Sequence, residues 1–217
     1  MQYLSQRLAS KPSAKRGGDP PSGALPAPQR ERILDASERL IAEHGCAGTS
    51  IEAIVKAAGV SSVTFYEFFA DKEACFVAAF DRAVAAGAGE LARAAAGDPA
   101  AGGLSWPEQI ATGLRATTGM ILAEPERARL CLIEAQTGGP ELSEHFDAVL
   151  DRVAAKLREG RRLETAPEHL PATHEEATAG ALTWLLRERL ESGDAERLDA
   201  LYPELIEIAL APYLGNG

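Results

Sequence analysis

The stretch TSIEAIVKAAGVSSVTFYEFFADKE, Thr49 to Glu73, decides how the rest of the chain is read. Thr49 or Ser50 caps a short helix, because a hydroxyl at that place accepts from amides two or three residues on. Ile51, Ile54, Val55 and Ala58 give that helix one apolar face. Gly59 breaks it, Val60 plugs inward, and Ser61 caps a third short helix running to about Phe69. Two short helices joined by a glycine-containing turn make a helix-turn-helix candidate. Phe65, with Phe68 or Phe69, falls on the inward side of the third helix, and Tyr66 falls on the other. A helix that enters a major groove needs small or hydrogen-bonding residues at its leading end, and Ser61, Ser62, Val63 and Thr64 meet that need.

Outward from this stretch the helical pattern continues in both directions. Upstream, Pro28 can open a helix whose apolar face is Ile33, Leu34, Ser37, Leu40 and Ile41 and which ends at His44 and Gly45. Downstream, Asp71 caps a long helix from Lys72 to about Ala96. Further helices are expected over 106–123, 125–137, 140–159, 173–191 and 195–214, separated by Gly102 and Gly103, Pro125, Gly138 to Pro140, Pro167 to Pro171, and Gly193. Alternation typical of strands is absent, so the fold class is all-α. Residues 1–27 mix prolines, glycines and bases, a composition that cannot form a packed core. The expected organisation is a disordered basic arm (1–27), a helix-turn-helix domain (28–72), and a helical ligand-binding and dimerisation domain (73–217).

The chain has 217 residues and a formal net charge of −10, an unpromising balance for contact with phosphates. Distribution matters more than the total. Residues 1–28 hold four bases against one acid, and residues 29–82 hold six bases against nine acids, so the remainder carries the equivalent of the whole −10. An acidic C-terminal body repels DNA and leaves the N-terminal part to meet it. No apolar run approaches the length needed to span a bilayer, and the N-terminus has no apolar secretory core, so no membrane association and a cytoplasmic location are expected. Cys46, Cys75 and Cys131 are odd in number and widely spaced, which suits reduced thiols better than a disulfide framework or a zinc site.

The whole segment PQRERILDASERLIAEHGCAGTSIEAIVKAAGVSSVTFYEFFADKEACF, Pro28 to Phe76, closely resembles the N-terminal DNA-binding domain of the tetracycline-repressor (TetR) family. The most specific pieces are RILDASERLIAEHG, TSIEAIVKAAGVS and TFYEFFADKE, in the order and spacing that family shows. The resemblance covers about a quarter of the chain. It implies a ligand-responsive transcriptional regulator, usually a repressor, that binds a palindromic double-stranded operator as a homodimer and is released by a small molecule. It also implies that Tyr66, Lys72 and the hydroxyls of Thr49 or Ser50 contact the DNA backbone.

The residues themselves support parts of this. Tyr66 can donate to a phosphate oxygen. Lys72 lies in the first turn of a helix, where the macrodipole opposes a cation and a phosphate would offset that opposition. Alternatively, Tyr66 is a half-buried ring and Lys72 an ordinary solvated charge. Where many relatives have a basic residue and a glycine after the serine at 61, this chain has Ser62 and Val63. That shifts recognition toward hydroxyl contacts and the thymine methyl. Glu67 is unfavourable near phosphates unless it accepts from a cytosine amine or faces away, and facing away is the expectation. Lys15 and Arg16 in the arm either reach phosphates and the minor groove or belong to a solvated tail.

In the C-terminal part, Trp106, Leu114, Met120, Cys131, Glu134, Phe146 and Trp184 are candidates for an effector pocket, all equally compatible with core. Glu134, in the apolar stretch RLCLIEAQT, is either a polar anchor in that pocket or a solvated residue at a helix edge, with the edge preferred. Leu182, Leu185, Leu186, Leu201, Leu205 and Ile208 are candidates for a dimer interface, because the last two helices are apolar on more than one face. Lys156, Arg158, Arg161 and Arg162 end a helix, where cations complement the dipole. His145, His169 and His174 lack metal-ligand spacing, and no catalytic set is apparent, so no metal, no cofactor and no enzymatic activity are expected. The alternative is a helical small-molecule-binding protein or enzyme without a DNA role.

Overall fold

The computed structural model describes residues 26–95, 103–193 and 198–214. Among these residues there are nine α-helices and no strand: α1 (Pro26–Gly48), α2 (Ile51–Ala58), α3 (Ser62–Phe68), α4 (Lys72–Ala95), α5 (Trp106–Ala123), α6 (Pro125–Leu132), α7 (Pro140–Arg158), α8 (His174–Glu191) and α9 (Leu198–Leu214). Short 3₁₀ turns follow α6 at Glu134–Gln136 and α7 at Glu159–Arg162.

The helix starts and stops follow local chemistry. Ser50 caps α2 by accepting from the Ala53 amide, and Gly59 closes α2 in the left-handed region (φ 64°), which lets the Val60 amide return to the Val55 carbonyl. Ser61 caps α3 through the Thr64 amide, and Asp71 caps α4 through the Ala74 amide. Helix α1 begins two residues before the expected Pro28. It turns sharply at Gly45 (φ 71°, ψ 169°) before a last turn to Gly48.

The structure divides the expected helix over 125–137. The α-helix stops at Leu132, and the tight turn after it directs the Glu134 carboxylate to the Cys46 amide, 2.8 Å away. That amide is freed by the kink at Gly45 and has no intrahelical acceptor to use. Glu134 is buried and also stands 4.0 Å from Arg129. It is therefore not a solvated helix edge, and one of its oxygens is committed to the end of α1.

Two hydrophobic clusters form the interior. The first joins Ile33, Leu34, Ile41, Ile54, Phe65, Phe76 and Phe80 of α1–α4 to Leu130, Ala135, Leu142 and Phe146 of α6, its following turn and α7. The second holds α5, α7, α8 and α9 together around Ile121, Leu157, Leu182, Leu186, Leu201 and Leu205. The core of the N-terminal head thus does not close at residue 72. It borrows apolar side chains from sequence more than fifty residues downstream.

Polar links reinforce that junction. Glu31, Asp35 and Glu38 lie along one face of α1 and converge on the Arg82 guanidinium of α4, at 2.7, 2.8 and 2.6 Å. The other oxygen of Glu38 accepts from Arg127 of α6 at 2.9 Å. Burial works against the Arg82 charge, but the carboxylates outweigh it and push its pKa upward. From the first turn of α4, Glu73 accepts the Glu141 amide of α7 at 2.8 Å.

In the C-terminal body, Glu175 is fully buried and receives Arg161 Nε at 2.7 Å and the Tyr213 hydroxyl at 2.9 Å. Burial alone would raise its pKa, but the hydrogen bonds from Arg161 and Tyr213 hold it at about 2. Lys156 bonds Gln109 and Glu159, and Arg158 pairs with Glu176, so these cations are spent within the fold, as their helix-end position suggests. The cysteines are free thiols. Burial pushes Cys46 and Cys131 up to about 12 and Cys75 up to about 11.

Candidate nucleic-acid interface

Helices α2 and α3 and the turn at Gly59 present one outward surface. Phe65 is fully buried and packs edge-on and tilted against Tyr66 and Phe69, with ring centroids 5.5 Å apart in both cases. This fixes which side of α3 faces out. Ser61, Ser62, Val63, Tyr66 and Glu67 are exposed, Val63 at 71% and Tyr66 at 58%. Two such apolar or half-apolar side chains on a seven-residue helix are costly to hydrate and suit contact with a partner. Thr64 is half-buried, and its hydroxyl shares a 3.0 Å hydrogen bond with Ser61.

The two candidate hydroxyls before α2 separate in the structure. Thr49 is buried and donates to the Gly45 carbonyl at 2.8 Å, so its side chain braces the kink and is not offered to a ligand. Ser50 is exposed. Its oxygen accepts from Ala53, which leaves its O–H free to donate outward.

Lys72 is half-buried rather than solvated. Its ammonium donates to the Cys46 carbonyl at 3.1 Å and lies 5.5 Å from the centre of the Phe76 ring. The unfavourable placement of a cation in the first turn of α4 is thus offset partly by the carbonyl end of α1. Two of its three N–H donors are still uncommitted. Glu67 follows Val63 by four residues and so comes off the same face of α3. It is exposed, as Val63 is, and neither side chain packs against the core.

The residual charge of the head differs from its formula. Glu31, Asp35 and Glu38 are tied to arginines, Asp71 and Glu73 to helix N-termini, and Asp81 to His145 at 2.8 Å. Arg32, Arg39 and Lys56 are exposed and have no carboxylate partner among the described residues. The sequence reading passed over these three. The i, i+4, i+7 spacing of Glu31, Asp35 and Glu38 on one face of α1 is the sequence signal that these acids are shared by a cation from another helix. Lys15 and Arg16 lie outside the described residues.

The seven pocket candidates do not converge. Trp106 donates to the Lys156 carbonyl at 2.9 Å and packs on Tyr213, close against Gly160, where an added Cβ would meet its ring at 2.6 Å. Leu114 joins the second cluster, and the Met120 sulfur sits against α4 at Gly87. Cys131 and Phe146 belong to the head cluster. Trp184 is 61% exposed on α8, on the surface rather than in a pocket. An open depression of about 370 Å³ instead lies between α5 and α9, lined by Leu104, Glu108, Thr112, Arg115 and Tyr202 among others. There the Arg115 guanidinium stands 4.0 Å over the Tyr202 ring.

The dimer candidates divide as well. Leu182, Leu186, Leu201 and Leu205 are buried inside the second cluster of the chain itself, so they are not available to a second copy. Leu185 is half-buried and Ile208 exposed, and Trp184 and Leu214 add further apolar surface to α8 and α9. Among the described residues there is no cluster of His, Cys, Asp and Glu that could hold a metal ion, and no helix is long and apolar enough to cross a membrane.

Comparison with known proteins agrees with this geometry. Residues 33–79 match the family model described as bacterial regulatory proteins, tetR family. No curated protein matches the chain in sequence. Among solved structures, the fatty acid degradation regulator FadR from Bacillus halodurans superposes with a TM-score of 0.70 at 20% identity, over 83% of this chain and 97% of that one. The transcriptional regulator FadR from Bacillus subtilis, solved in complex with stearoyl-CoA, superposes with a TM-score of 0.71 at 18% identity, over 84% and 98%. A TetR family transcription regulator from Marinobacter aquaeolei gives 0.65 at 20% identity, over 85% and 95%. At these identities the likeness is one of fold.

Proposed function

We propose that this DNA-binding transcription regulator, a tetR-family protein by its helix-turn-helix domain, is a repressor that binds a palindromic operator as a homodimer and is released by a small molecule. The observation that carries the reading is the outward display of Ser62, Val63 and Tyr66 from a helix locked from behind by Phe65. In a major groove, Ser62 and Val63 address base edges, while Tyr66, Ser50 and the remaining donors of Lys72 address phosphates. Lys15 and Arg16 add a cationic contact next to the groove.

One such helix reads only a few base pairs, so a second copy is needed, placed about 34 Å away or at a multiple of that distance. Trp184, Leu185 and Ile208 on α8 and α9 supply an apolar surface for that pairing. The effector acts by favouring one spacing of the two heads over the other, for which a differential affinity of about 1 to 3 kcal/mol suffices. The α5–α9 depression, largely apolar with the Arg115 guanidinium and the Glu108 carboxylate in its lining, is the candidate effector site. Stearoyl-CoA, the ligand bound by one structural neighbour, is the first probe to try.

The test is an anisotropy titration against duplex DNA flanking the chain's own gene, repeated at several salt concentrations. Tyr66→Phe and Lys72→Ala are expected to weaken binding to all sequences, and Lys72→Ala to flatten the salt dependence by about one unit of slope per protomer. Ser62→Ala or Val63→Ala should change base preference instead. Absence of any binding to duplex DNA overturns the reading in favour of a ligand-binding protein without a DNA role.

A further inference from the structure

The geometry points to Glu67 as a specificity-determining residue that selects cytosine in each half-site, an inference that rests on the DNA-binding reading above. Glu67 is exposed, and it rises from α3 one turn beyond Val63 on the face that is 71% exposed there. Among the described residues no donor holds its carboxylate: it takes part in no side-chain hydrogen bond and no ion pair, unlike Glu31, Asp35, Glu38, Glu73 and Glu134 in and around the same head. From Ser61 to Phe69 there is also no lysine or arginine to neutralise it.

A carboxylate in that position enters the groove together with Val63. Between two phosphate rows and without a donor, it would be a desolvated charge with no compensation, which proteins rarely tolerate. The edges of the bases limit what can compensate it. Guanine presents two acceptors and thymine an acceptor and a methyl group, so both repel a carboxylate. Adenine offers an amine beside the N7 acceptor, whereas cytosine offers its N4 amine as the donor that Glu and Asp accept from. Cytosine is the base that the carboxylate tolerates best.

The spacing sharpens the expectation. Four helical residues rise about 6 Å, and stacked base pairs repeat every 3.4 Å along a strand. With Val63 against a thymine methyl, the cytosine read by Glu67 lies one or two base pairs away. The absence of a cation from α3 fits the same picture. A guanidinium beside Glu67 would hold its carboxylate and remove the discrimination.

The experiment is selection of a randomised duplex library by the full-length protein and by its Glu67→Gln and Glu67→Ala variants, followed by anisotropy titration of the enriched duplexes. The wild type is expected to enrich an inverted repeat with cytosine at one fixed position of each half-site, and to lose about tenfold or more in affinity when that base is changed. Glu67→Gln, which can pair with adenine through N6 and N7, should replace cytosine with adenine at that position and leave the others alone. Glu67→Ala should make that position indifferent. The same base profile in all three proteins overturns the assignment, as does a uniform gain of affinity in Glu67→Ala with cytosine still preferred. Failure of the wild type to enrich any sequence defeats the DNA-binding reading itself, a result distinct from enrichment without cytosine.

Discussion

At the scale of single residues, buried polar side chains of this chain act as fasteners between segments distant in sequence. Glu134 reaches back 88 positions to the Cys46 amide, and Thr49 secures the same kink through the Gly45 carbonyl. Replacing Glu134 with alanine leaves a buried amide without a partner, which costs about 1 to 3 kcal/mol, measurable by urea denaturation. Glu175 allows a pH test. Its carboxyl is held at about 2 against an ordinary value of 4.5, so its stabilising contribution is fully present above about 4.5 and is lost as pH falls toward 2. Stability of the wild type should therefore decline across that window, and Glu175→Gln should flatten the decline. At neutral pH the same substitution should cost about 3 kcal/mol, at the lower end for a broken buried pair, because Arg161 is partly exposed and can rehydrate.

At the scale of elements, α2 and α3 are too short to persist alone and depend on their caps and on tertiary packing. Ser50→Ala removes the α2 cap and should lower stability by about 1 kcal/mol. Gly59→Ala should cost a similar amount, about 1 to 2 kcal/mol, because the residue sits at φ 64°. Thermal unfolding of both variants checks these values, and far-UV circular dichroism at low temperature should remain native. Helix α1 is the scaffold of the head. One of its faces is apolar, another carries Glu31, Asp35 and Glu38 in register with Arg82, and its end is held by Lys72 and Glu134.

At the scale of the whole molecule, the first hydrophobic cluster makes the head inseparable from α6 and α7. A fragment ending at residue 95 lacks Leu130, Ala135, Leu142 and Phe146, all of which fill the head core. Loss of several buried large side chains costs about 2 to 5 kcal/mol each, comparable in total to the stability of a domain. The fragment is expected to show little cooperative unfolding, which near-UV circular dichroism or hydrogen exchange will reveal. Association has its own test: Trp184→Glu places a charge on the exposed apolar surface of α8 and should shift the proposed dimer toward monomer in analytical ultracentrifugation, with little change in monomer fold.

Most helix limits and the outward side of α3 were legible in the sequence, because both rest on short-range rules, whereas the stop of α6 at Leu132 was not. Capping serines, the break at Gly59, and the spacing of Phe65 and Phe69 act within one or two turns, and a turn of helix dictates which side of α3 faces out. The sequence by itself did not determine which apolar residues serve the chain's own core and which serve a partner, since Leu182, Leu186, Leu201 and Leu205 look the same as Leu185 and Ile208 until α5, α7, α8 and α9 pack. Nor did it place Thr49, Lys72 and Glu134, whose partners lie in the kinked end of α1. Packing of the helices settled these, because hydrogen-bond partners and burial depend on contacts between residues far apart in sequence.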